Sequence, residues 1–63
     1  MIIKGIVSAI NLEDKTASVI LPEYNVVTRP IKAYHEDIFT SLKVDDFVLV
    51  VVFNDDFDDC VIL

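Results

Sequence analysis

Val44-Asp45-Asp46-Phe47-Val48-Leu49-Val50-Val51-Val52-Phe53-Asn54-Asp55-Asp56-Phe57-Asp58-Asp59-Cys60-Val61-Ile62-Leu63 is the stretch whose reading decides the fold. It predicts a strand apolar on both faces, an acidic turn and a second strand. In a chain of 63 residues one core can cover only one face of such a hairpin, so the other face calls for a partner.

Working outward, β-branched residues and alternation near period two dominate, which predicts an all-β chain. A first strand is expected over Ile2 to Asn11, a polar turn at Leu12-Glu13-Asp14-Lys15, and a second strand over Thr16 to Leu21. Pro22-Glu23-Tyr24-Asn25 interrupts the pattern. A third, irregular strand extends from Val26 to about Ala33, with Pro30 marking an edge or bulge because it removes a ladder donor. In His35-Glu36-Asp37-Ile38-Phe39-Thr40-Ser41-Leu42, the residues Ile38, Phe39 and Leu42 share one helical face behind two acids that suit a helix start. One short helical turn is therefore expected between strands three and four. Three strands, a turn and two strands form the layout of a small five-stranded Greek-key OB-like barrel, residues 1–63 making a single domain. An SH3-like barrel is the competitor, with its helical turn usually before the last strand.

Strand faces are set by parity. Ile3, Gly5, Val7 and Ala9 in strand one, with Ala17, Val19 and Leu21 in strand two, are the expected core rows. Ile6, Ile10 and Ile20 then point outward, joined by Leu49, Val51 and Phe53 if the row containing Phe47 faces solvent. A one-residue shift in strand four would put Val48, Val50 and Val52 outside instead. A patch of several hundred Å² of this kind marks an interface, and Ile6, Ile10, Ile20, Leu49, Val51 and Phe53 are the candidate contacts of a homo-oligomer.

Composition narrows the classes further. Five Lys and Arg against eleven Asp and Glu give a formal net charge of −6, which repels phosphate backbones and makes nucleic acid an unlikely partner on average. A single cysteine, Cys60, allows no internal disulfide and builds no zinc site. No apolar run nears the roughly 20 residues of a membrane span, and Met1-Ile2-Ile3-Lys4-Gly5 does not open a signal peptide. A cytoplasmic origin without membrane contact is expected.

Nothing in the residues implies a cofactor. Asp55, Asp56, Asp58 and Asp59 lack the glycine and distal glutamate of an EF-hand loop, so a solvated turn that also deters edge aggregation is the preferred reading over a calcium site. His35 has no nucleophile pairing with it in sequence, and Cys60 alternates with Val61 as a packed residue would. An enzyme is not expected, and no catalytic or metal residues are assigned. The standing alternative for an OB barrel is single-stranded nucleic-acid binding, for which Tyr24, Arg29, Lys32 and Tyr34 would form a short aromatic and basic strip. A third reading is a small protein-interaction module.

Lys4-Gly5-Ile6-Val7-Ser8-Ala9-Ile10, Lys15-Thr16-Ala17-Ser18-Val19-Ile20-Leu21-Pro22-Glu23-Tyr24, Val44-Asp45-Asp46-Phe47-Val48-Leu49-Val50 and Asn54-Asp55-Asp56-Phe57-Asp58-Asp59-Cys60-Val61-Ile62-Leu63 together resemble a known family. It is the OB domain of phage baseplate assembly protein V and its relatives, including the valine-glycine repeat spikes of type VI secretion. The shared pattern is a strand opening with Gly and Val, a Val-rich strand ending in Leu-Pro, and a hydrophobic hairpin entered through a polar pair. The resemblance implies a trimer on the axis of a contractile tail, with other tail proteins as partners and the virion tail as destination. The family commonly carries glycine where Asp45 or Asp46 stands, further glycines in the final turn, and a β-helical needle beyond the position of Leu63. Those departures point away from membrane piercing and toward a structural adaptor or hub of a phage or prophage baseplate.

Overall fold

In the computed structural model, which describes residues 1–63, β1 (Ile2–Asn11) and β2 (Thr16–Leu21) form the first antiparallel hairpin. Its turn is held by the Asn11 side chain. Asn11 Nδ2 donates to Asp14 Oδ2 and Asn11 Oδ1 accepts from the Asp14 amide, both at 3.1 Å. Pro22 opens a single 3₁₀ turn to Tyr24, and Asn25 closes it in the left-handed region at φ 57°. β3 (Val26–Val27) pairs with Ile20 and Leu21. β4 (Phe47–Val52) lies antiparallel against β1, and β5 (Cys60–Ile62) against β4.

The strand order β3-β2-β1-β4-β5, in which the fourth strand returns beside the first, is a Greek key. Two isolated bridges extend β3: Ala17 meets Ile31 antiparallel and Ala33 meets Ile62 parallel. The second curls the sheet round, with the Ile62 amide donating to Lys32 O at 2.9 Å and the Tyr34 amide to Ile62 O at 2.7 Å. This is the small OB-like β-barrel expected from the strand count and the helical turn. That turn is 3₁₀, Glu36–Thr40, between β3 and β4. Phe39 from it is buried, with Ile38 and Leu42 packed at its margin.

The core holds Ile3 and Val7 of β1, Ala17, Val19 and Leu21 of β2, Ile31, Ala33, Phe39, Val50, Val52 and Ile62. In β4 the inward row is therefore the one through Val50 and Val52. Gly5 is buried among them for want of space: a β-carbon there would run into Val19 Cγ1 and stand 3.1 Å from Ile20 O. Thr28 is the buried polar side chain. Its Oγ1 accepts from the Val19 amide at 3.0 Å while its own amide donates to Val19 O at 2.8 Å, so the hydroxyl stands in for a strand carbonyl where β3 breaks before Pro30.

Two expectations for β1 are corrected. Register slips between Val7 and Ala9, so Val7 faces Val19, Ala9 faces Ser18 and Ile10 faces Ala17. Ser8 is the extra residue of a bulge, and one extra residue inverts parity beyond it. Ala9 is consequently exposed, and Ile10, expected outward, is half-buried against the core. Strand three, expected from Val26 to about Ala33, is a regular strand over only two residues. No helix is long and apolar enough to cross a membrane.

Candidate functional site

The outward face of the sheet is built by cross-strand pairing. Val27 of β3 opposes Ile20 of β2, Ile20 opposes Ile6 of β1, and Ile6 opposes Phe47 of β4, giving one apolar row across four adjacent strands. A second row joins Ile2, Val51 and Val61 across β1, β4 and β5. Between the rows Lys4 opposes Leu49, whose carbonyl accepts from the Leu63 amide at 2.8 Å. Phe47 is 67% exposed, and Ile2 and Val27 are each 61% exposed.

This exposure is not looseness of the fold. The accessible surface is 4238 Å² for 7.1 kDa, close to the ~4,100 Å² of a compact monomer of that mass. The apolar surface is placed there by the sequence.

Charge is distributed in the opposite sense. None of the eleven acidic residues lies in a strand; all occupy connections, and Lys4 is the one charged residue in any strand. Its Nζ stands 4.6 Å from the Phe47 ring centroid, a cation–π contact on the exposed face.

Of the expected contact residues, Ile6, Ile20, Leu49 and Val51 lie together on this face, and Phe53 continues the outward row just past β4, its amide donating to Asp59 O at 3.0 Å. Ile10 does not belong to it. Ile2, Val27, Phe47, Val61 and Leu63 lie on the same face without being among the expected contact residues; pairing each strand with its neighbours, rather than reading strands singly, is what finds them.

The aromatic and basic strip is dispersed in its uses. Tyr24 packs on Phe57 at 5.4 Å between centroids, within the β4–β5 turn that carries Asp55, Asp56, Asp58 and Asp59. Tyr34 meets His35 edge-on at 4.8 Å, and His35 makes no side-chain cap to the 3₁₀ turn it precedes. Arg29 and Lys32 are exposed on the segment between β3 and the closing bridge. Carboxylates beside Tyr24 oppose phosphate rather than attract it.

A hollow of about 240 Å³ lies between the β1–β2 turn and the 3₁₀ turn, lined by Leu12, Lys15, Glu36, Asp37, Phe39 and Thr40. It is below the ~300 Å³ at which ligand clefts begin, and its cation is taken by a 3.5 Å ion pair between Lys15 and Glu36.

Cys60 Sγ donates to Phe57 O at 3.2 Å. Burial, then the nearby charges of Asp59, Asp58 and Asp56, pushes its thiol pKa up. The thiolate is the reactive form, so alkylation by iodoacetamide at pH 8 is expected to run several-fold slower than for a free cysteine and to speed up with rising pH. A rate equal to that of free cysteine would show the thiol outside the packed position.

No protein-family model, curated protein or solved structure matches the chain.

Proposed function

We propose that this protein is a non-enzymatic structural subunit that assembles with copies of itself through the outer face of the sheet, acting as an OB-type adaptor or hub. The observation that carries this reading is the apolar row Val27, Ile20, Ile6 and Phe47 running unbroken across four strands with no acidic residue on it, in a chain of net charge −6. A second copy is the occupant that fits the dimensions. With molecular extents of 28 × 19 × 15 Å, the broad face offers roughly 500 Å², about the share one partner contributes to the ~1,000 Å² of a specific interface.

The finer assignment, to the baseplate or spike of a phage or prophage tail, rests on the resemblance. Two backbone features support it. Asp45, where the family commonly has glycine, holds φ at 76°, and Asn54 and Asp55 in the final turn hold 53° and 57°. Left-handed backbone is the geometry that glycine adopts most readily, with Asn and Asp as the tolerated substitutes, so these residues are compatible with positions where the family commonly has glycine.

Light scattering across a dilution series tests assembly directly. A trimer or larger ring is expected, and Leu49→Asp or Ile20→Asp should reduce the mass toward monomer while circular dichroism stays β. Wild-type protein that remains monomeric at every concentration would overturn the assembly reading.

A further inference from the structure

Lys4 constrains how the outer face is covered, on the premise that copies assemble through that face as proposed. β1 is the central strand of the sheet, and Lys4 is the middle of the five β1 residues paired with β4. Its ammonium is drawn over Phe47 rather than extended to the rim. Any partner covering the face therefore covers Lys4, and burying a cation without a counter-charge is strongly unfavourable.

If two copies met strands on strands, with no connection reaching across, each would bring only strands to the contact. No strand carries an acid, so both Lys4 ammoniums would be buried unpaired. The counter-charge has to come from a connection. Among the connections the β4–β5 turn carries the densest charge, four aspartates within residues 55–59, and the carboxylates of Asp55, Asp58 and Asp59 accept no hydrogen bond and meet no cation of their own chain, the one ion pair being Lys15 with Glu36. Asp14 and Asp46, by contrast, are engaged within their own turns. Phe53, 47% exposed at the start of the same turn, supplies apolar surface beside the charge.

We infer that the acidic β4–β5 turn of one copy docks on the outer face of the next, placing a carboxylate against Lys4, which in the ring proposed above makes the assembly head-to-tail. Each copy then contributes two different surfaces, a geometry that closes into rings or extends as filaments. The upward displacement of the Cys60 thiol pKa, caused by burial first and then by Asp59, Asp58 and Asp56, agrees with a turn whose charge is not neutralised within the chain.

Charge reversal tests this on the whole protein by light scattering and sedimentation velocity. Lys4→Glu is expected to weaken association at least tenfold. The double variant Asp58→Lys with Asp59→Lys should do the same, although it reduces the magnitude of the net charge by four units from −6 and a purely general repulsion would make it associate more tightly. All three positions are exposed, and circular dichroism checks that each variant folds. Mixing the two non-associating variants should restore association as mixed species, because the acidic turn of one meets the lysine face of the other and the reversed pair is again complementary. A closed ring of alternating variants needs an even number of subunits, so the readout is mixed association rather than the wild-type mass. Association unaffected by either change overturns the head-to-tail contact while leaving self-assembly standing. Two defective variants that fail to rescue one another overturn it equally. A monomeric wild type overturns self-assembly itself.

Discussion

Gly5→Val leaves the protein unfolded, and Gly5→Ala leaves it measurably destabilised. Gly5 is in the middle of β1 with ordinary extended backbone, since no glycine in the chain has positive φ, and the requirement is purely one of volume. The first added carbon meets Val19 Cγ1, with Ile20 O at 3.1 Å and Leu21 Cδ2 at 3.2 Å. Val19 is fully buried and β-branched, so it has no alternative χ1 well to retreat into without displacing other core residues. Overpacking of this kind costs about 1–3 kcal/mol for one methyl and more for three. Alanine recovers some backbone entropy relative to glycine, about 0.5–1 kcal/mol, which offsets only part of the loss. A domain of 63 residues holds roughly 3–9 kcal/mol in total, so the valine variant exceeds what is available. Far-UV circular dichroism and urea titration decide the matter: a wild-type midpoint for Gly5→Val would mean that β1 and β2 are not packed this closely.

Ile62→Ala is the second large effect. Ile62 is fully buried and is the residue at which the sheet closes, paired with Val50 on one side and Ala33 on the other. Truncation leaves the backbone bonds to Lys32 and Tyr34 in place but opens a cavity between the two ends of the sheet. Such truncations cost about 2–5 kcal/mol, a large share of the total for so small a core. The urea midpoint should fall steeply for Ile62→Ala, slightly for Ile62→Val, and hardly at all for Leu63→Ala, whose side chain is exposed. Equal midpoints for the alanine variants at positions 62 and 63 would show that closure does not depend on this side chain.

The strand order was legible because β1, β2, β4 and β5 each carry a strong β pattern bounded by Pro, Asn or Asp, and because the face of Ile38, Phe39 and Leu42 marks the helical turn. Parity was not legible beyond Val7. The Ser8 bulge is a relation between two strands, and nothing in β1 alone announces that Ile10 has changed sides. The choice between the two rows of β4 was likewise open, because Phe47-Val48-Leu49-Val50-Val51-Val52 is apolar throughout and only pairing with β1 settles which residues share a face with Ile3 and Val7. Lys4 shows the same limit. Its position in the sequence is plain, but its place at the centre of an otherwise uncharged face depends on which strands lie beside it.

The route by which the chain closes has a consequence for its synthesis. β1, made before the strands it pairs with, lies between β2 and β4, and its neighbour Met1 exchanges a bond with a residue far along the chain, the Val52 amide donating to Met1 O at 2.7 Å. Ala33 waits in the same way for Ile62. A β1–β2 hairpin emerging from a ribosome therefore lacks most of its core until β4 and β5 are also free. Pairings of such long sequence separation are slow to form. The barrel is acquired late and all at once, and while it waits the nascent chain carries its carboxylates only in connecting segments, with bare apolar strands between them.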